Sequence, residues 1–564
     1  MSFPIVHDEM EVIARGMSQS LESGHLLEIL FRTPVTNSNG ITPLWWWIQL
    51  PSSWLFGETS KLGLRLLPLI LGLTGICLAY RAAQRLGGAR SAWFAGLLYA
   101  VGDLVLYTNS KGEFAASLIG PLALALLLDL LPRRDTTKPR IRIALWPALV
   151  LLSYFGQGLI LWGSYAVYLG CSYVTTRLRA QDETRGGGFF PMVGLILLPL
   201  VPSLIWMLAA QAILFDPGSP LLTDIGPVSS IWEQVSKLTW GYGTVVKPYM
   251  VGGWRDALYV YTDFEVWPTL ALITVPGIAM LAQRGLRVAR RLVGGEPGPI
   301  ATDLIAICFI VPALGVLLAK GVVGARFHLL YLAIGLPFVA VALDDWLGLL
   351  ERGRAGAFAC FGVVECLWVA WTRSQTIDPP GPRSWGVFWI VATIGLTLAA
   401  AAWAMQSWSR LRPHIRPAAT VIVSAVVLVS SQSFGPLEWA RRLAWEPEPN
   451  KQRPASVSRF QNPDLQLAMA FLGRETGRER LAARVANNDR ARAASARAVA
   501  VARSRRLLVR SLDRHPDNRE TLLQAGVELF RFSRRDRGQV VDLWQAYARL
   551  HPDDQAIRRM LTLR

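Results

Sequence analysis

The chain has 564 residues, 52% of them hydrophobic and only 17% charged, where a soluble protein usually carries about a quarter charged residues. With its long apolar runs this excludes an ordinary water-soluble enzyme and predicts an all-α polytopic membrane protein. The formal net charge of +18 fits basic residues collected in cytoplasmic loops, so no nucleic-acid partner is expected.

The opening stretch, "MSFPIVHDEMEVIARG", contains no secretory pattern but carries an acidic pair, Asp8 and Glu9. It leads into "DEMEVIARGMSQSLESG", which reads as an amphipathic helix, and then into "NSNGITPLWWWIQL". Indoles prefer the membrane–water boundary, so "PLWWW" predicts a helix lying in the interface. A carboxylate pair beside interfacial helices is one reading of the segment 1–61. An ordinary acidic helix start explains the same pair.

Apolar segments then follow at 62–80, 91–107, 114–131, 143–155, 158–175, 189–215, 266–282, 300–323, 327–343, 357–371, 385–408 and 417–433. They predict a bundle of about twelve spans within 62–433, several near the minimum length of about 17 residues. The stretch 143–175 is divided at "FGQG", where Gly156 and Gly158 would turn the chain. With that division, alternate loops hold about twenty Lys and Arg against about seven in the other set, and are therefore cytoplasmic. The outer set then comprises 1–61, 108–113, the long loop 216–265 and everything beyond about 434. The expected location is the inner (plasma) membrane, multi-pass, with an extracytoplasmic C-terminal domain. An acidic pair outside with no span before it requires either a helix upstream of this start or a short tail that crosses alone; the upstream helix is expected.

The five cysteines, Cys77, Cys171, Cys308, Cys360 and Cys366, all fall in apolar stretches without metal-ligand spacing and read as small core residues. Residues 434–464 are rich in Pro and charge and read as a linker. Beyond them, 465–564 shows helical spacing. "HPD" recurs at 515 and 551, near the tetratricopeptide period. Pro516 and Pro552 suit first-turn positions, with the following Asp at a helix N-terminus. Degenerate tetratricopeptide-like hairpins and a plain helical bundle both satisfy this pattern.

The order of features over 7–343 resembles the GT-C superfamily of polytopic glycosyltransferases that use polyprenyl-phosphate sugars, including its protein O-mannosyltransferase-like and lipid A aminoarabinose transferase-like members. The resemblance rests on "HDE", the Pro-containing aromatic helix, "GETSKLGLRLLPLILGL", and "YTNSKGEF" with Tyr107, Thr108, Asn109, Lys111 and Phe114. "SYFGQG" at 153–158 and "ARFHLLYLAIGLPFVAVAL" at 325–343 add to it. Phe114 and Phe327 stand where the family has tyrosines, and Ser110 where a Glu is common. The resemblance implies a GT-C-like bundle with interfacial helices in the first external loop. It also implies transfer of a sugar from a polyprenyl-phosphate donor to a lipid, glycan or protein acceptor on the outer face.

That chemistry needs a base for the acceptor proton and positive charge on the leaving phosphate. The resemblance gives the base role to Asp8, with Glu9 supporting it or binding acceptor. Lys111 and Arg326 lie on short external connections and are the candidate phosphate ligands, one a point charge and the other a bidentate fork. Interfacial snorkelling explains both equally simply. His328 reads as a packed or interfacial side chain. In the long loop, Trp254, Arg255, Asp256, Asp263 and Glu265, with Trp240, Tyr242 and Tyr259, are candidates to contact substrate, or else form an aromatic belt. No cofactor is required by these residues; a divalent cation at the donor phosphate stays open. Membrane lipids are expected partners.

Two rivals remain. One is an oligosaccharide ligase that uses a lipid diphosphate donor. The other is a non-catalytic membrane scaffold whose repeat-like tail recruits partners. A transporter is disfavoured, since no internal repeat and few mid-membrane charges are visible, Asp103 being the main exception.

Overall fold

The computed structural model describes residues 43–57, 60–101, 116–131, 141–179, 189–214, 221–223, 226–228, 269–294, 301–320, 329–351 and 504–562, together with residues 17, 30, 354, 417, 420, 421, 464, 465, 468 and 472. The described elements are nearly all helical. In chain order they are α1 (Pro43–Phe56), α2 (Lys61–Gly87), α3 (Ala89–Val101), α4 (Ala116–Leu130), α5 (Arg142–Ser153), α6 (Phe155–Arg179), α7 (Phe189–Leu197) and α8 (Leu200–Leu214). Then come α9 (Thr269–Gly294), α10 (Ala301–Lys320), α11 (Leu329–Glu351), a helix through 504–514 (α12), α13 (Arg519–Phe532), α14 (Arg537–Leu550) and α15 (Gln555–Thr562). One departure from an all-α chain is a two-stranded antiparallel ribbon in the long loop, pairing β1 (Leu221–Thr223) with β2 (Gly226–Val228).

The predicted segments from 62–80 to 327–343 each coincide with described helices, while 357–371, 385–408 and 417–433 lie outside the described residues apart from isolated positions. Among the described residues, α2 is the helix long and apolar enough to cross a bilayer, and the bent pair α7–α8 adds a second candidate. Helices such as α4 and α5 are apolar but shorter, at 15 and 12 residues. A 12-residue helix rises about 18 Å, well below the roughly 30 Å of a hydrocarbon core.

Two expected details are corrected. The break between α5 and α6 falls at Tyr154, whose extended backbone (φ −156°, ψ 96°) ends α5, and not at the glycines. Gly156 and Gly158 belong to the first turn of α6. Gly158 serves packing: a Cβ there would stand 2.5 Å from the Cα of Leu151 on α5. The segment 189–215 is likewise two helices, bent by 44°. The helix breaks at Leu198 and Pro199: Pro199 has no N–H to offer the Leu195 carbonyl and Pro202 none for Leu198, whose carbonyl instead accepts from Val201 N at 3.2 Å.

Helix α2 is delimited by its sequence. The Ser60 hydroxyl accepts from Gly63 N at 2.8 Å and caps the start. Gly88 (φ 98°) ends the helix and turns the chain directly into α3. The resulting α2–α3 hairpin packs on α4 and α11, while α6 joins through α5 and α10, and α9 packs on α10 and α11. Ala and Leu dominate the shared core, which includes Ala79, Ala83, Leu124, Leu127, Ile305 and Leu336. Tyr99 is wedged within it between α2 and α4. A Cβ on Gly120 would lie 2.4 Å from its hydroxyl, with the next ring atom at 3.5 Å; one on Gly75 would lie within 2.5 Å of the hydroxyl and two ring carbons. The Tyr99 hydroxyl has no hydrogen-bond partner among the described residues. Gly120→Ala should therefore cost about 1–3 kcal/mol, and Tyr99→Phe should restore most of it. Gly75→Ala should not be rescued, because ring carbons remain in the way. Thermal unfolding of the single and double variants in detergent checks this cycle.

The outward surface is apolar at helical spacing. On α2, Leu69, Ile70 and Leu73 are exposed; on α8, Val201, Leu204, Ile205 and Leu208 are. Such stripes are unfavourable in water and suit a lipid environment.

One end of the bundle is fastened by ion pairs. Arg90 and Ser91 on α3 both bind Asp344 on α11. Arg85 donates to the Leu128 carbonyl, and Arg142 pairs with Asp129 at 2.6 Å while Trp146 donates to its other oxygen. Asp303, in the first turn of α10, is buried and receives Arg284 at 2.7 Å and Arg287 at 3.3 Å from α9. The Arg284 guanidinium also lies 4.9 Å from the Phe338 ring centre. These contacts bring together helix ends that the charge bias assigns to one side.

In the C-terminal part, α13 and α14 form a helical hairpin and α15 packs back on α14. Pro516 and Pro552 sit in turns before the helices, not in their first turns. Asn518 caps α13 by accepting from Thr521 N at 3.0 Å, and Asp554 accepts from Ala556 N at 3.0 Å at the start of α15. The Gly526 backbone meets the indole of Trp544, where a Cβ would lie 2.8 Å from Nε1. Leu522, Ala525, Gly526 and Leu529 share the spacing of a tetratricopeptide first helix but have Leu at both aromatic positions, so a plain helical bundle fits equally.

Asp536 is buried there and accepts from Arg505 through two bonds of 2.6 Å and from Ser533 at 2.5 Å. The bond to Arg505, then that to Ser533, outweigh burial and hold its carboxyl below the usual range. A lowered acid stabilises the fold above its unfolded pKa of about 3.9, and that contribution is lost as pH falls through the folded value. Hydrogen-exchange protection of 504–562, corrected for intrinsic rates, should therefore drop as pH falls below about 4. Asp536→Asn should cost about 1–2 kcal/mol at neutral pH, discounted for the part-exposed Arg505, and flatten that acid response.

Candidate functional site

The opposite end of the bundle carries the features of interest. Helix α1 begins at Pro43 and packs against the start of α2 and against α5. Its indoles divide: Trp45 and Trp46 are buried, whereas Trp54, Leu55 and Phe56 are exposed. That split is the one an interfacial helix needs, with one face on protein and an apolar end toward lipid.

The joint between α1 and α2 is polar. Gln49 Nε2 donates to the Gly63 carbonyl at 2.7 Å, and Ser52 Oγ donates to the same oxygen at 3.0 Å. Gly57 (φ 87°) turns the chain between the helices. Gly63 must be glycine, since a Cβ would lie 2.1 Å from the Gly57 carbonyl oxygen. Around this joint the helix ends hold further buried polar groups: Ser53 and Arg65 beside it, Ser117 at the start of α4, and Ser153 and Gln157 at the α5–α6 break. Among the described residues Gln49 Oε1, Ser53 Oγ, Gln157 Oε1 and the Nε1 atoms of Trp45 and Trp46 have no hydrogen-bond partner. Buried polar groups usually find partners, so these five atoms gathered about one joint mark a polar pocket of side chains at this end, although Tyr99, Ser164, Tyr165, Ser203 and Trp206 carry unpartnered atoms elsewhere in the bundle.

The residues singled out by sequence, Asp8, Glu9, Lys111, Arg326, Trp254, Arg255, Asp256, Asp263 and Glu265, lie outside the described residues. Their flanking helices are described. Because Arg90, Leu128, Asp303 and Asp344 mark one end, Val101, Ala116, Lys320 and Leu329 belong to the other. The helix ends at Val101, Ala116, Lys320 and Leu329 therefore lie at the end of the bundle that α1 covers.

Sequence reasoning missed Gln49, Ser52, Ser53, Gln157 and Arg65. The signal for Arg65 was present, a charge inside the apolar run "LGLRLLPLILGL". The structure adds that it is buried, at 2% exposure, in the first turns of α2. Among the described residues no group of three or more His, Cys, Asp or Glu side chains gathers as metal ligands would.

No family model matches the chain, and no curated protein matches it. Among solved structures, the crystal structure of the apo oligosaccharyltransferase of Archaeoglobus fulgidus aligns with 14% sequence identity and a TM-score of 0.36, over 82% of this chain and 56% of that one. The chain spans little more than half the length of that protein, and a likeness at this level carries no argument about fold or activity.

Proposed function

We propose that this chain is a multi-pass membrane glycosyltransferase of GT-C type. It moves a sugar from a polyprenyl-phosphate donor to a lipid, glycan or protein acceptor on the extracytoplasmic face. The observation that carries this reading is helix α1, an aromatic helix seated by Gln49 and Ser52 on the polar end of the bundle, opposite the arginine-rich end. It supports the expected arrangement, in which an external segment bearing a carboxylate pair lies over helix ends joined by cationic connections.

The roles follow from the chemistry. Asp8 takes the acceptor proton, and Glu9 supports it or holds acceptor. Lys111 and Arg326 gather the charge of the leaving phosphate. Trp254, Arg255, Asp256, Asp263 and Glu265 contact the substrate from the long loop.

Donor binding tests the cationic pair. A labelled polyprenyl-phosphate sugar should bind the purified protein, and Arg326→Ala should weaken binding without lowering the unfolding temperature. Adding Lys111→Ala should cost less than the sum of the single losses, because both groups serve one phosphate. Fully additive losses, or none, would assign both to the membrane interface.

A further inference from the structure

We propose that the C-terminal helical domain is docked on Met17 and helix α1, and through Met17 positions the N-terminal segment that precedes it. The evidence is a hydrophobic core shared by distant parts of the chain. Met17, Trp45 and Trp46 belong to the same continuous buried cluster as Leu465, Leu507 and Leu508. Met17, eight residues beyond Glu9, is fully buried in it. A domain tethered only by a linker would close its own core and present a polar face to the rest of the molecule. Here the core of the tail continues into the N-terminal segment.

The docking face is itself braced. Asp464 is buried and accepts from Arg510 at 2.5 Å and from Arg514 at 2.8 Å, while Ser504 Oγ donates to the Ala468 carbonyl at 3.1 Å. These bonds fix Asp464 and Ala468 against α12, so Leu465 is held beside Leu507 and Leu508 in one apolar surface. Burial of Met17 against such a surface offsets the entropy of ordering the chain around it. The tail then acts as a positioning element, and its apolar face is committed within the chain instead of being offered to a recruited protein. The consequence for catalysis rests on the transferase proposed above; the docking does not.

The test uses the full-length protein with a protease site replacing "EPEPNKQ" at 446–452. After cleavage the C-terminal fragment should co-elute with the membrane part on gel filtration in detergent. Met17→Glu and Leu508→Glu should each release it, Met17→Leu should retain it, and the released fragment should keep its helical circular dichroism. Dissociation of the wild-type fragment on cleavage would overturn the proposal, as would retention in both Glu variants. A fragment that stays bound while no donor supports transfer would leave the docking standing and remove the transferase; transfer that survives loss of the fragment would remove the positioning role.

Discussion

Replacing Asp8 by Asn should nearly abolish sugar transfer while expression and donor binding survive. The substitution keeps size and most hydrogen-bonding capacity and removes only the basic carboxylate. A positioned acid or base is worth about a hundred- to ten-thousand-fold in rate, so the loss should fall in that range. Glu9→Gln should be milder, because its assigned part is support or acceptor binding. The competing explanation, an acidic residue favouring the start of a helix, predicts a cost of no more than about 1 kcal/mol in stability and unchanged turnover. Rate and unfolding temperature measured on the same preparations separate the two. Transfer by Asp8→Asn at the wild-type rate would remove Asp8 from the base role.

The largest effect on stability is expected at Asp303. Its carboxylate compensates Arg284, which is 7% exposed, and it also draws Arg287 and Arg291 toward the start of α10. Truncating one partner of a buried pair strands the other charge and typically costs about 3–5 kcal/mol. Asp303→Ala should cost that much in detergent unfolding. Arg284 stacks on Phe338, so an apolar side chain of similar length fits the same space. The double variant Arg284→Met with Asp303→Leu should accordingly be markedly more stable than Asp303→Ala alone. If Asp303→Ala unfolds like the wild type, this end of the bundle is not held by the pair.

Much of the helical order was legible in the sequence, and the reasons are local. Apolar runs bounded by basic residues locate α2, α4 and α11, but α2 and α11 continue to Gly87 and Glu351, beyond the predicted 80 and 343, because a helix runs on past its apolar run, and α2 carries arginines in its last turns. The α5–α6 break falls at Tyr154 and not at the glycines, which in sequence alone signal a turn. At Gly158 the glycine instead lets two helices approach, which depends on Leu151 across the interface and leaves no local trace. The bend at Pro199 and Pro202 is legible in principle, since a proline removes a backbone donor in any helix, but the two lie within one long apolar run. The polar seat of α1 was not legible. Gln49 and Ser52 are separated in sequence from the Gly63 carbonyl they bind, and nothing in "WWWIQLPSS" says which face will meet α2. The ion pairs of Arg90 with Asp344 and of Arg284 with Asp303 were hidden for the same reason. As sequence, each arginine was only part of a charge bias. The HPD triplets of the tail were visible in sequence, whereas the close approach of Gly526 to Trp544 was not, since it depends on a partner in the next helix.

The central claim is transfer of sugar from a polyprenyl monophosphate, and turnover measures it most directly. The purified full-length protein would be incubated with labelled polyprenyl-phosphate sugars and, in parallel, with a lipid diphosphate oligosaccharide, each against lipid, glycan and peptide acceptors from the native membrane. The proposed function predicts that label moves from a monophosphate donor to one acceptor class, with release of the polyprenyl phosphate, and that Asp8→Asn stops it. Transfer from the diphosphate donor alone would make the chain an oligosaccharide ligase. Failure of every donor with a folded protein would contradict a transferase and leave the membrane scaffold in its place.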